Sequence, residues 1–313
     1  MKAFVTGGAG FIGSHLVDRL VGMGTVTAYD NLSSGKEEFI GQQRGRDGFC
    51  FLREDLLELD ALKKAVAGHD VVFHMAASPD IRAGIEDTSL YLKQGTIVTY
   101  NVLEAMRASG IKKIIFASSS TVHGETPLKP IPEDYGFPQP ISLYGASKLA
   151  GEGLITAFCH LFGMKAWIYR FANVVGARAT HGAIFDFVNK LTSNNKELEI
   201  LGDGSQEKPY IHVDDCVDGM LYGFQHSKDR LNVFNLGCRS STRVSCIAQM
   251  VVEEMGLHGV KLRYTGGDRG WPGDVPQVRF DTSRMEKLGW RPKYTSDEAV
   301  RKAIRDILGK RSC

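Results

Sequence analysis

The first thirty residues constrain this chain more than any other stretch. Lys2 to Thr6 (KAFVT) reads as a short buried strand, and Gly7-Gly8-Ala9-Gly10-Phe11-Ile12-Gly13 follows it. An amphipathic helix then runs to about Val21, and a second strand, Thr25 to Tyr29, ends on Asp30. A strand entering a glycine-rich turn that opens a helix is the arrangement that holds a dinucleotide. The helix N-terminus offers unpaired N–H groups and a positive dipole end to the pyrophosphate. Glycines let the backbone turn tightly and come close to it. The spacing is G-x-x-G-x-x-G (Gly7, Gly10, Gly13) rather than G-x-G-x-x-G. Asp30 stands roughly 20 residues beyond the glycines, where an acid bonds the adenosine ribose hydroxyls and repels a 2′-phosphate. NAD, rather than NADP, is the expected cofactor.

The remainder of the first half repeats this alternation. A strand at Phe49 to Arg53 closes on Asp55-Leu56, and a helix covers Asp60 to Ala67. Val71 to His74 is a strand running into Met75-Ala76-Ala77, and a long helix spans Thr88 to Ser109. The strand Lys113 to Ala117 ends in three serines, and a Pro-rich loop (Pro127 to Pro140) leads to a helix over Leu143 to Phe162 and a strand at Ala166 to Tyr169. Regular βα alternation with β-rich apolar strands predicts an α/β fold, a Rossmann-type doubly wound parallel sheet. Past Arg170 short elements with many Gly and Pro residues predict a smaller C-terminal α+β substrate-binding region. The expected division is residues 1–172 for the nucleotide-binding part, with a later return of the chain near 210–237, and residues 173–313 for the substrate.

Composition narrows the partners. With 43% apolar residues in 313 the chain can bury a sizeable core, and a formal net charge of +2 gives no electrostatic reason to expect nucleic acid or an anionic membrane. The mixed charges of Arg301 to Arg311 read as a solvated helix face. The six cysteines (Cys50, Cys159, Cys216, Cys238, Cys246 and Cys313) form no C-x-x-C pair and no metal spacing, so no metal is expected and the thiols imply a reducing compartment. The chain opens directly into its first strand and no apolar run approaches about 18 residues, so the expectation is a soluble cytoplasmic protein.

A second constellation carries the chemistry. In Tyr144-Gly145-Ala146-Ser147-Lys148 the tyrosine and lysine share one helix face at i and i+4. A tyrosine with its ordinary pKa near 10 is a poor base at neutral pH, but a nearby cation, or the positive nicotinamide ring, favours the phenolate. Ser119, at the C-terminal end of a parallel strand, lies where such sheets put ligands, and its hydroxyl can bond the oxygen that Tyr144 deprotonates. His74, at another strand end, reads as a packing and backbone-bonding histidine, and Met220, Leu221, Tyr222 and Phe224 read as core.

These stretches resemble the extended short-chain dehydrogenase/reductases, specifically the NAD-dependent epimerase/dehydratase family and, within it, the UDP-glucose (UDP-galactose) 4-epimerases. The resemblance spans essentially the whole chain: TGGAGFIGSHL, DNLSSG, Asp55-Leu56, HMAA, ASSSTVHG, YGASK, RFANVVG, GDGSQEK, RGWPGDV and LGWRP. It implies catalytic Ser119, Tyr144 and Lys148. It implies NAD contacts from Gly7, Gly10, Phe11, Ile12, Asp30, Asn31, Ser33, Gly35, Asp55, Leu56, Ala76, Tyr144 and Lys148. Asn173 matches the residue that binds the sugar-nucleotide diphosphate, with Lys208 and Arg269 as its cationic partners and Asp274 on the nucleotide ribose. The implied reaction is transient oxidation at sugar C4 of a UDP-sugar, and the implied assembly is a homodimer built as a four-helix bundle. Leu90, Ile97, Tyr100 and Leu103, with Leu154, Phe158 and Leu161, would supply its apolar side chains.

Some positions depart from the pattern. His123 replaces a tyrosine and reads as a structural exchange. Gly95 replaces a helix asparagine, and Lys208 replaces an arginine, which turns a bidentate phosphate contact into a point charge. Trp271 stands where many relatives carry a second phosphate arginine, so Arg269 takes that role by expectation. Val278, four residues past Asp274, is where a bulky tyrosine walls the sugar pocket in similar epimerases, and a valine there would leave room for an N-acetyl group. Ser120-Thr121 replace the Asp-Glu pair of 4,6-dehydratases, which argues against elimination. A UDP-glucuronate 4-epimerase or decarboxylase, or a UDP-N-acetylglucosamine 4-epimerase, is the nearer alternative. A non-catalytic NAD sensor would typically have lost Tyr144 or Lys148.

Overall fold

The computed structural model describes residues 1–127 and 129–309. Cys313 and the last residues of the charged 301–311 stretch lie outside the described residues. Six strands run through the first half: β1 (Lys2–Thr6), β2 (Thr25–Tyr29), β3 (Phe49–Leu52), β4 (Val71–His74), β5 (Lys113–Ser119) and β6 (Lys165–Phe171). With the later strand Leu231–Leu236 they form one seven-stranded sheet. Starting from Leu231–Leu236 the order is β6, β5, β4, β1, β2, β3, and every pairing is parallel.

Period-two alternation divides the strand side chains between two cores. Ala3, Val5, Phe73, Ile115 and Trp167 face one side, against α1 (Phe11–Val21) and the helix Val213–His226. Phe4, Val72, Ile114, Phe116 and Ile168 face the other. There they meet α2 (Leu59–Val66), α3 (Val98–Ala108) and α4 (Leu143–Phe162). With both faces covered, the strands are the near-continuous apolar runs that such sheets require. A third apolar cluster joins the helices Ala183–Ser193, Val244–Glu254 and Ser296–Ile307 around the paired strands Glu197–Ile200 and Lys261–Tyr264. The five described cysteines are free. No helix among the described residues is long and apolar enough to cross a membrane.

The expected helix over Thr88–Ser109 differs from the observed one. The chain becomes helical at Leu90, widens into a π-helical stretch at Leu92–Ile97 and only then continues as α3. The reason lies at Gly95, where an added Cβ would stand 2.5 Å from the Ser147 Oγ of α4. The two helices pass so closely that residue 95 has no room for the expected amide, and the wider turn accommodates the crossing.

His74 also differs from its expectation, because its partners are side chains. Its Nε2 lies 3.1 Å from the Thr99 hydroxyl and its Nδ1 2.7 Å from the Thr6 hydroxyl. Thr99 already donates its proton to the Gly95 carbonyl at 2.6 Å, so Nε2–H is the donor to Thr99 and Nδ1 accepts from Thr6. Burial, and secondarily the Lys148 charge, hold the His74 pKa down to about 3; burial and Arg170 hold His123 down to about 4. Between pH 6.5 and about 4 the unfolded chain accepts protons at both sites that the folded chain refuses. Stability therefore falls toward acid, by at most ~1.4 kcal/mol per pH unit for each histidine. Denaturant unfolding at pH 5 and 7 is expected to show this slope, reduced in His74→Gln. An unchanged slope in that variant would mean that His74 is not the titrating group.

Candidate active site

The carboxyl ends of β1, β2, β4, β5 and β6 open into one cleft of about 740 Å³. At one end lies the glycine turn. Gly7 has φ +67°, and a Cβ there would meet the Ala76 backbone at 2.7 Å. A Cβ on Gly13 would stand 2.0 Å from the Gly7 carbonyl oxygen, so α1 packs against the turn only as glycine. Gly7, Gly10, Phe11, Ile12, Leu56 and Ala76 all line the cleft here.

Asp30 is buried at the end of β2, its Oδ2 accepting from the Ala9 N–H (3.0 Å) and its Oδ1 from the Leu32 N–H (2.8 Å). Burial raises its pKa against the pull of these two donors. Asn31 donates to Asp55 at 2.9 Å and accepts from the Ser33 N–H, so these three cleft residues brace one another. Gly35 does not reach the cleft lining. It lies against Ala9 and the Asp30 carboxylate, where a Cβ would come within 2.9 and 3.0 Å. The side-chain-free turn and the fixed carboxylate suit a dinucleotide carrying a free ribose 2′-hydroxyl. Asp30→Ala is expected to narrow the preference for NAD over NADP by tenfold or more, roughly the contribution of a hydrogen bond to a charged group. Titration of both dinucleotides reads the ratio, and an unchanged one would separate Asp30 from the ribose.

Ser119, Tyr144 and Lys148 meet in the middle of the cleft. Ser142 caps α4 by accepting the Gly145 N–H at 3.1 Å, which sets the first turn and so the direction of Tyr144. The Ser119 hydroxyl beside it favours the Tyr144 phenolate, but burial outweighs this and pushes the Tyr144 pKa up to about 12. Lys148 donates to the Ala117 carbonyl at 2.7 Å, with its Nζ 5.6 Å from the Tyr144 ring centre. Burial lowers its pKa to about 8 against the opposing charge of Glu152. The sequence reading missed what stands behind this trio. Glu152 and Arg170 form a buried bidentate ion pair at 3.0 and 2.7 Å, and Ser118 donates to Glu152 at 2.5 Å. Glu152 is four residues past Lys148, so the i, i+4 rule that pairs Tyr144 with Lys148 could have found it.

At the far end stand Asn173, Lys208, Asp274 and Trp271. Lys208 and Asp274 form an ion pair. Arg269 is not brought to this cleft. Its guanidinium pairs with Glu125 and donates to the Asp274 carbonyl at 3.1 Å, lining a separate surface pocket with Lys129 and Gln277. Val278 is likewise absent from the cleft wall. Its N–H donates to the Glu207 carbonyl and its side chain is buried in the core with Phe280, so it cannot set the size of a sugar pocket. Trp271, by contrast, fills part of the wall. His123 is buried against Tyr135 and Phe280, outside the cleft lining.

The profile of the NAD dependent epimerase/dehydratase family matches residues 3–237. The chain belongs to that family. Along its whole length it is similar to a UDP-glucose 4-epimerase of Mycolicibacterium smegmatis, with 32% identity and 99% of each chain covered. Among solved structures it is similar to a UDP-galactose 4-epimerase with a TM-score of 0.88 and 39% identity, covering 98% of each chain. It is also similar to a UDP-glucuronic acid 4-epimerase from Bacillus cereus in complex with UDP-glucuronic acid and NAD, with a TM-score of 0.89, 30% identity and 99% of each chain covered. This epimerase/dehydratase is an NAD-dependent enzyme, and its glycine turn and Asp30 are where that cofactor fits.

Proposed function

We propose that this protein is a UDP-glucose/UDP-galactose 4-epimerase. The observation that carries the reading is that Ser119, Tyr144 and Lys148 line one cleft together with a dinucleotide cradle and a polar wall of Asn173, Lys208 and Asp274. Bound NAD supplies a reversible hydride acceptor for sugar C4. Ser119 holds the 4-hydroxyl, and Tyr144 takes its proton as that carbon is oxidised and returns it when the 4-keto group is reduced. Lys148 lies close enough to favour the phenolate electrostatically, and the nicotinamide charge adds to it. Asn173 and Lys208 anchor the diphosphate and Asp274 the ribose, leaving the hexose free to turn over between the two half-reactions. Ser120 and Thr121 provide no carboxyl pair for elimination.

Glucuronate or N-acetylhexosamine substrates are the rival within this chemistry. Incubation with a panel of UDP-sugars, with the C4 epimers resolved, tests the assignment: interconversion of UDP-glucose and UDP-galactose supports it, and turnover confined to another UDP-sugar would displace it. A homodimer fits the same reading. Ile97, Tyr100 and Leu161 expose apolar side chains (39%, 45% and 74%), whereas Leu103 and Phe158 pack into their own subunit. The expected solution mass at micromolar concentration is that of two chains, and a monomeric mass would contradict it.

A further inference from the structure

One wall of the cleft holds a polar group that no step of this chemistry uses. Gln206 is 2% exposed and lines the cleft, yet neither its amide oxygen nor its amide nitrogen has a hydrogen-bond partner among the described residues. Its position is fixed. The Gln206 carbonyl accepts the Val244 N–H at 2.9 Å, the Glu207 N–H donates to Pro276 at 2.8 Å, and Lys208 pairs with Thr242. A Cβ on Gly202 would stand 1.9 Å from the Gln206 Nε2, so the amide is seated over a residue with no side chain. A buried amide with both ends unsatisfied disfavours the ligand-free fold. A bound molecule that offers one donor and one acceptor would satisfy it.

The strand geometry says which part of the ligand that is. Gln206, Lys208 and Tyr210 alternate onto the cleft, whereas the Glu207 carboxylate is held by Ser241, Arg243 and Arg279. Ser119 pairs with Phe171, Asn173 lies two residues beyond, and Tyr210 pairs with Asn173. Lys208 is one two-residue step back from Tyr210 along the extended chain, roughly 6–7 Å. Gln206 is one step further, over Gly202 just past the end of the strand Glu197–Ile200, outside the sheet that carries Ser119. With the hexose at Ser119 and the diphosphate at Lys208, the group beyond is the nucleoside. We propose that Gln206 binds the imide edge of the pyrimidine base, its oxygen accepting the ring N–H and its nitrogen donating to a ring carbonyl. This rests on the UDP-sugar reading and adds the residue that recognises the base.

The test titrates UDP and N3-methyl-UDP, which lacks the imide proton, into the NAD-bound protein as wild type, Gln206→Met and Gln206→Leu. The same proteins without UDP are melted in parallel. Wild type is expected to prefer UDP roughly tenfold to a hundredfold. In either variant that preference should collapse toward parity while the nucleotide-free protein melts no lower than wild type. A preference that survives in both variants would overturn the assignment. So would variants that lose stability but keep their UDP affinity, since Gln206 would then be a structural residue. A wild type that binds neither nucleotide would overturn the UDP-sugar reading, and this assignment with it, and is told apart from the other outcomes by the wild-type titration alone.

Discussion

Tyr144→Phe is expected to lower kcat by roughly a hundredfold to ten-thousandfold, the usual contribution of a positioned acid/base, while UDP-sugar and NAD affinities stay close to wild type. The phenyl ring keeps its edge contact with Tyr91, so the cleft wall should hold its shape without the hydroxyl. What is lost is a proton acceptor needed only as charge develops at the sugar oxygen. Burial holds Tyr144 at a pKa of about 12, and the opposing pull of Ser119 alone does not bring the phenolate into reach at neutral pH. In the proposed complex the nicotinamide charge would add to the pull of Lys148, so the tyrosine is expected to act as a base in the cofactor-bound protein. Turnover by the phenylalanine variant near the wild-type rate would remove Tyr144 from this role.

Glu152→Ala is expected to destabilise the fold by about 3–5 kcal/mol, the usual consequence of stripping one partner from a buried ion pair. The Arg170 guanidinium would be left among β5, β6 and α4 with only the Glu133 carbonyl at 2.8 Å and the edge of His123. Ser118, next in sequence to Ser119, would lose its acceptor as well. Replacing both charges together, as Glu152→Leu with Arg170→Met, should recover much of the loss, because the expensive species is the unpaired charge rather than the missing pair. Denaturant unfolding of Glu152→Ala and the double variant checks this. Equal losses in Glu152→Ala and the double variant would indicate that packing volume, not charge, dominates.

The nucleotide half of the site was legible in the sequence because its determinants are local. A strand, a glycine turn, a helix and an acid follow one another within thirty residues, and Tyr144 and Lys148 lie one helical turn apart. The substrate half was legible in its residue types but not in their directions. Arg269 and Val278 were expected at the ligand, yet the pairing of Glu207 with Pro276 and Gln277, and of Ile131 with Phe280, turns the segment so that Val278 points into the core. Those contacts join residues more than sixty positions apart, and no periodicity announces them. Gln206 stood unremarked inside the GDGSQEK stretch because only a three-dimensional account of its amide shows that nothing satisfies it. The π-helical turn at Gly95 was hidden for a similar reason: its cause is Ser147, on another helix.

Oxidation and reduction at one sugar carbon inside one cleft is the central step of the proposed reaction. UDP-galactose carrying deuterium at C4 measures this in a single experiment, run with the NAD-bound protein in ordinary water. The expected product is UDP-glucose with the deuterium retained at C4 and no label appearing in solvent. Product formed with its C4 deuterium replaced by hydrogen from water, or a 6-deoxy-4-keto sugar in place of UDP-glucose, would contradict it.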